Sequence, residues 1–225
     1  TRFNEKDFKT GIGYSKNKFT SELRYNYNNS QLGLTEGIGE QSKNTILLEP
    51  YQLIDNQIVS SHNHFFFKGS KLDIDLGYTI NDRQEFEEHE DEASHEKHEE
   101  AALRMKLKTA SYNLKYHFKK IGNLEILSGL QGLHQTNTNF GEEILIPNAK
   151  VNDFGIFTTA NYTWKKNTLQ AGIRFDNRNI KTERHEIAHD NDVHIFNAID
   201  KYYNSFTASL GFKTSFSDHF TTRIN

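Results

Sequence analysis

Apolar and polar residues alternate along most of this chain with a period of two, the pattern of strands wetted on one face only. Phe19, Ser21, Leu23, Tyr25 and Tyr27 share one face, opposite Thr20, Glu22, Arg24, Asn26 and Asn28. The same reading holds for Leu72–Ile80, Phe154–Trp164, Leu169–Phe175 and Phe206–Phe212. Between 103 and 118 the parity changes near Lys108–Ala110, and the expectation there is a β-bulge. The apolar bands run about nine to eleven residues, longer than the five or six usual in a soluble sandwich and suited to a tilted membrane strand.

Turn signals divide these strands into pairs. Short polar connections fall near Lys16–Lys18, Gly69–Lys71, Lys119–Asn123, Lys165–Asn167 and Ser217–His219, with centres 45 to 53 residues apart. Longer polar stretches lie between them, at about 29–62, 84–102, 138–151 and 182–201. Five short turns imply ten strands. Short turns at one end and long loops at the other predict an antiparallel transmembrane β-barrel, all-β, with the long loops extracellular. Tyr14, Phe19, Phe67, Phe118, Trp164, Phe216 and Phe220 lie near the short turns and would form one aromatic girdle.

Composition removes several other classes. No run approaches 18 consecutive apolar residues, so no helix is expected to span a membrane. With no cysteine there is no disulfide framework and no thiolate chemistry. A net charge of -3 gives no reason to expect nucleic acid. That total hides one segment, Glu85 to Glu100, which carries nine acids, three histidines and one lysine, a formal -8 that leaves the remainder at +5.

The segment Gly141–Ile180 resembles the barrel of TonB-dependent outer-membrane receptors, above all in Leu145–Pro147, in the DFGIF of Asp153–Phe157 and in the GIRFD of Gly172–Asp176. The acidic, histidine-bearing loop after a GYTxNxRxEFEEH-like strand is similar to that of zinc-uptake members. The resemblance implies a barrel of 22 strands, so residues 1–225 are expected to be a partial barrel domain of about ten of them. Neither a plug domain nor an energy-coupling box is seen, and Asn225 stands where an aromatic residue would end such a barrel. A closed ten-strand barrel is the alternative. Outer-membrane lipid, a divalent metal and, through the missing plug, the TonB complex are the implied partners.

Three constellations bear on chemistry. In 85–100, His89, His95 and His98 offer imidazole nitrogens, and Glu88, Glu92, Glu96 and Glu99 offer carboxylate oxygens. Such a set suits Zn²⁺, with Cu²⁺, Ni²⁺ and Mn²⁺ as competitors, and the ion would be transported cargo, with no cofactor required. A helical turn would put His95, His98 and Glu99 on one face. The competing reading is a solvated charge run. The second constellation is His185–His189, formally HExxH, which in a zinc protease needs a helix. His194 follows His185 by nine residues, one short of the metzincin spacing, and no glycine intervenes. The expectation is a rim metal site of His185, Glu186, His189 and His194, or an exposed polar loop, with an outer-membrane hydrolase as the remote alternative.

The third is His134, near Gln135, Glu142 and Glu143, expected to line an inner metal path or to be a hydrogen-bonded lumen residue. His117 and His219 lie near short turns and call for no function. His62 and His64 precede Phe65–Phe67 and could join an extracellular site. Glu22, Arg24, Asp73, Asp75, Arg174, Asp176 and Arg178 are expected to pair across the lumen wall. No nucleophile triad, phosphate loop or dinucleotide fingerprint occurs, so catalytic residues are not assigned. The leading function is a receptor barrel importing zinc or a related divalent metal. A receptor for haem or a metal chelate, with His134 or His194 at the ligand, stands second, and an adhesive or purely structural barrel stands behind both.

Overall fold

The computed structural model describes residues 2–34, 50–87, 101–141, 143–189 and 192–225, and for 187–189 and 192–194 the backbone alone. The strands are β1 (Phe3–Lys16), β2 (Phe19–Gly33), β3 (Tyr51–Phe66), β4 (Lys71–Phe86), β5 (Leu103–His117), β6 (Leu124–Asn139), β7 (Ala149–Trp164), β8 (Asn167–Thr182), β9 (His185–His189), β10 (Asp192–Phe196), β11 (Ile199–Ser215) and β12 (Thr221–Ile224). Ten of them form one sheet in the order β1-β2-β3-β4-β5-β6-β7-β8-β11-β12, antiparallel throughout. The other two, β9 and β10, pair as a separate hairpin within the β8–β11 connection.

All five expected short turns are present. Asn17 and Lys165 take left-handed backbone angles (φ 29° and 49°) in two of them, and Gly69 (87°) and Gly122 (57°) do so in two more. Glycine meets that demand without a Cβ penalty. The long connections are shorter than expected, because the strands run on into them. β3 begins at Tyr51 and β7 at Ala149, so much of 29–62 and 138–151 is strand.

The sheet is a single layer. Among the described residues Leu103, at 5% exposure, is the one buried large aliphatic or aromatic side chain. Two packed sheets with a dry core are therefore excluded, and the apolar residues lie on an open face instead. That face reads Leu72, Ile74, Leu76, Tyr78, Ile80 on β4 and Tyr116, Leu114, Tyr112, Ala110 on β5. It continues as Tyr162, Ala160, Thr158, Ile156, Phe154 on β7 and Phe212, Leu210, Ala208, Phe206 on β11. Ile156, Phe206 and Leu210 are 47%, 70% and 67% exposed, an apolar band of the kind that faces lipid in a membrane barrel.

The register gives the strand tilt. Ile80 pairs onward through Lys108, Thr136, Lys150 and Lys181 to Asp200, one rung across five strand spacings. The uninterrupted apolar run ends at Ile80 on β4 but at Phe206 on β11, six positions below Asp200. At about 3.3 Å per residue and about 4.8 Å per strand, this inclines the strands by about 40° to the band, within the range of outer-membrane barrels. The short-turn ends step the same way. The rung of Lys71, where β4 starts, reaches Thr159 in β7, five residues before that strand ends at Trp164.

The bulge expected near Lys108–Ala110 is absent. β5 pairs with β4 from His117 to Leu103 without interruption, and with β6 from His117 to Met105. The parity of hydrophobicity changes because the environment does. Above Ala110 the outward positions Lys108, Lys106 and Arg104 have left the lipid, while Leu103 turns inward and is buried.

Polar residues inside the lipid band satisfy one another. Ser21 Oγ donates to Asn63 Oδ1 (2.6 Å), and Asn63 Nδ2 donates to Ser61 Oγ (2.9 Å) and to the Ile74 carbonyl (3.4 Å). Ser128 and Thr158 hydroxyls pair at 2.9 Å. Without water such groups must find partners in the protein. The expected girdle also forms, with ring centroids of Tyr14–Phe19, Tyr116–Phe118 and Trp164–Phe212 at 6.2, 4.8 and 5.9 Å.

Candidate functional sites on the inner wall and rim

The face opposite the lipid band carries the ionised residues, because charges there meet the lumen. On β8, Arg174 donates to Asp176 (Nε–Oδ2 2.7 Å) and to Gln131 Oε1 (3.1 Å), and its guanidinium lies 5.5 Å from the Phe157 ring centroid. Gly155, the cross-strand neighbour of Asp176, makes room for the pair, since a Cβ there would lie 2.5 Å from both Arg174 Nη2 and Asp176 Oδ1. Arg178 forks onto Asp153, with Nε–Oδ1 at 2.7 Å and Nη2–Oδ2 at 2.5 Å. Arg24 forks onto Glu22 at 2.7 and 2.8 Å. Of the charges expected to pair with one another, Arg24–Glu22 and Arg174–Asp176 do so, whereas Arg178 takes Asp153, which lies outside that set.

Asp73 and Asp75 pair differently. Asp75 Oδ1 lies 2.9 Å from His62 Nδ1, and Asp75 Oδ2 accepts from Asn113 Nδ2 at 3.3 Å. Asp73 Oδ1 lies 2.6 Å from His64 Nδ1, and its Oδ2 takes His117 Nε2 and Lys71 Nζ, each at 2.9 Å. Three imidazoles therefore stand on the inner wall toward the short-turn end. The register explains this: His62 pairs with Asp75 and His64 with Asp73 across β3 and β4. An extracellular position for His62 and His64 is corrected, since both lie on the β3 half nearer the short turn. His117, expected to be idle, is the third imidazole of the group.

His134 also requires correction. It shares the outward face with Leu130 and Ala110, and its Nδ1 lies 2.6 Å from Asn152 Oδ1 on the neighbouring strand. It lines no inner path. Its rung sits just above Phe154 and Gly132, where the outer surface leaves the lipid, which accounts for a polar pair facing outward.

The HEIAH segment is β9, an extended strand paired with β10, in register His185 to Phe196 and His194 to Ile187. The helix that a zinc-protease motif requires is absent, so the hydrolase alternative falls. Glu186 pairs with Arg184 at 2.5 Å. His185, His189 and His194 are thus carried on one hairpin at the long-loop rim, although the side chains of His189 and His194 lie outside the described residues. The loop histidines His89, His95 and His98, with Glu88, Glu92, Glu96 and Glu99, lie outside the described residues altogether, as does Glu142. Among the described residues, no three imidazole or carboxylate groups already converge as a metal cage.

Solved structures with the same wall are found across this whole length. The FrpB iron transporter from Neisseria meningitidis (F3-3 variant) matches 98% of the chain at 12% identity, with a TM-score of 0.69. The chain thus shares its fold, an antiparallel sheet of ten strands, with about a third of such a transporter. The ferric yersiniabactin uptake receptor FyuA from Yersinia pestis matches 96% at 6% identity and TM-score 0.67. The copper transporter OprC matches 96% at 10% identity and TM-score 0.68. The chain spans 37%, 35% and 35% of those three proteins, about a third of each. No family model and no curated protein sequence matches it. The receptor-barrel neighbours are transporters and receptors of the bacterial outer membrane, not enzymes.

Proposed function

We propose that the chain forms part of an outer-membrane receptor that imports zinc or a related divalent metal, driven through a plug by the TonB complex. The observation that carries this reading is the pairing of a receptor-barrel wall with the acidic, histidine-bearing connection between β4 and β5. A formal -8 over residues 85–100 concentrates cations at one mouth of the barrel. Imidazole nitrogen then discriminates zinc from calcium and magnesium, which prefer oxygen. The rim hairpin carrying His185, Glu186, His189 and His194 adds donors at the same end of the strands.

The test is zinc and calcium titration of the full-length protein against the variant His89→Gln, His95→Gln, His98→Gln, which retains the carboxylates. Zinc affinity is expected to fall at least about tenfold with weak calcium association nearly unchanged. Acidification through about 6.5, the range in which free imidazole protonates, is expected to release zinc, since a protonated imidazole cannot ligate. Equal zinc affinity in the two proteins refutes the loop as a capture site.

A second reading, a receptor for a metal chelate, draws support from the inner wall. Arg174 and Arg178 face the lumen from one strand, and guanidinium forks suit carboxylate-bearing chelates. Growth on zinc against growth on ferric chelates as the limiting metal source separates the two.

A further inference from the structure

We infer that the short-turn rim of this wall binds anionic phospholipid of the periplasmic leaflet, with a headgroup phosphate held between Lys68 and Lys119 of adjacent turns. Four of the short turns, residues 16–18, 68–71, 119–123 and 165–167, read KNK, KGSK, KKIGN and KKN. They hold eight lysines and no acid in fifteen residues. The whole chain carries -3, so this +8 is a local concentration, opposite in sign to residues 85–100 at the other end of the strands. The fifth turn, Ser217–His219, has Asp218 and no lysine, so the positive charge follows the sheet from β1 to β8. Two of the eight lysines are neutralised, Lys71 by Asp73 and Lys120 by Glu125. Lys16, Lys18, Lys68, Lys119, Lys165 and Lys166 are exposed and have no carboxylate partner among the described residues.

The fold brings two of these cations together. A Cβ at Gly69 would lie 2.9 Å from Lys119 Cγ and 3.3 Å from its Cδ, so the stem of Lys119 crosses the neighbouring turn beside Lys68. Tyr116 donates its hydroxyl to Ser70 Oγ at 3.1 Å and ties the same two turns. Cations without a carboxylate on adjoining turns repel until an anion lies between them. The surroundings select a lipid anion. Phe67, Phe118 and Ile121 stand in those two turns, 53%, 45% and 69% exposed, and the apolar band begins close by at Leu72 and Tyr116. Aromatic side chains mark the headgroup depth of a membrane, and lysine stems lie along apolar surface while the ammonium reaches the phosphates. Successive turns are two strands apart, about 10 Å, close to the Debye length at about 0.1 M salt, so their fields add along the lipid edge. A line of charge bordering an apolar band fits a leaflet, whereas a globular acidic partner needs a compact patch.

This rim acts on the membrane and not on the cargo, so it stands whichever metal or chelate is imported. The test uses the full-length protein in a neutral detergent, with phosphatidylglycerol and phosphatidylcholine of identical acyl chains as probes and bound lipid counted by native mass spectrometry. Wild type is expected to prefer phosphatidylglycerol by at least about tenfold, as basic clusters at a membrane surface prefer anionic headgroups. Lys68→Gln/Lys119→Gln is expected to lower that preference at least about threefold, and replacing all six unpaired lysines by glutamine is expected to abolish it. Lys108→Gln/Lys150→Gln removes two exposed cations beyond the opposite edge of the band and is expected to leave it unchanged. Heat-modifiable migration of the barrel in gels checks that each variant is folded, and the double variant decides if the sixfold one is not. A preference undiminished in folded Lys68→Gln/Lys119→Gln overturns the site. Displacement of the lipid by soluble glycerol phosphate overturns it in favour of a free anion, and displacement by polyglutamate in favour of an acidic macromolecule.

Discussion

The outer surfaces of β4 and β5 change character within one strand length. Below, Leu72 to Ile80 and Tyr116 to Ala110 present apolar side chains without a charge. Above, on the same face and in the same register, Asp82 receives Arg104 at 3.0 and 3.1 Å and Lys106 at 3.0 Å. The backbone does not distinguish the two halves, since the ladder runs unbroken from Lys71–His117 to Glu85–Leu103. Only the surroundings differ. In lipid an outward position must be apolar or bonded to its neighbours, and above the lipid an outward position is solvated while Leu103 on the inward face packs away. The pleat fixes which residues share a face, and the medium decides which face is apolar.

The sharpest way to break that comparison is to place one charge in each half. Ile156→Arg puts a guanidinium in the lipid band, flanked by Leu130 and Phe175 on neighbouring strands. The expected cost is about 2–4 kcal/mol near the bilayer midplane. Thr136→Arg, on the rung of Ile80 and Lys108 above the band, is expected to cost about 0–1 kcal/mol. Urea-dependent folding of the full-length protein into lipid vesicles measures both. Equal costs would mean that the outward apolar face meets protein and not lipid.

Much of this wall was legible in the sequence because a transmembrane strand exposes its period twice, as apolar-out and as charged-in. Leu169–Phe175 and Phe206–Phe212 need no other information, and Asn17, Gly69, Gly122 and Lys165 mark their turns. Two things were not legible. The parity change at Lys108–Ala110 looks the same whether caused by an inserted residue or by an exit from lipid, and only the pairing of β5 with both neighbours separates them. The lumen imidazoles were missed because β3 is disguised. Its outward face carries Asn63, Ser61 and Gln57, so 51–62 reads as loop, yet those polar groups are bonded to one another and to β2 and β4. A signal did exist: His-x-His at 62–64 and Asp-x-Asp at 73–75 flank a short turn at matching distances, which places them opposite each other once the turn is centred correctly. His134 was misplaced for the reverse reason, since a lone polar residue near the band edge carries no sign of its face.

Within the lipid band itself, polar residues are expected to act as closed sets. Ser21→Ala removes the donor to Asn63 Oδ1, leaving an acceptor facing hydrocarbon, at an expected cost of about 1–2 kcal/mol. Ser215→Ala removes a hydroxyl paired with Thr221 at 2.9 Å in the exposed part of the β11–β12 hairpin, where water replaces it, and is expected to cost less than about 0.5 kcal/mol. The same vesicle-folding titration compares them. Similar small effects would place Ser21 and Asn63 in contact with water, and would break the continuity of the band across β2 and β3.

Above the band the smallest effect is expected, although the contacts there look the most elaborate. Asp82 is only 7% exposed and meets two cations, features that usually mark a costly loss. The partners argue otherwise. Arg104 and Lys106 side chains are 39% and 31% exposed, so water can take the place of the carboxylate at both. Arg104 also keeps its position over the Phe140 ring, 5.4 Å from the centroid, while the Phe140 amide donates to its carbonyl at 2.9 Å. Asp82→Asn preserves shape and one acceptor oxygen and is expected to cost about 0.5–1 kcal/mol at low ionic strength, the magnitude of a solvent-accessible ion pair. That cost should shrink further as salt is raised to about 0.5 M, where the Debye length falls to about 4 Å, close to the separation of the charges. The salt dependence is the informative part. A cost that does not change with salt would mean that Asp82 and its cations are shielded from water, and that the outer surface above Ile80 is covered by something other than solvent.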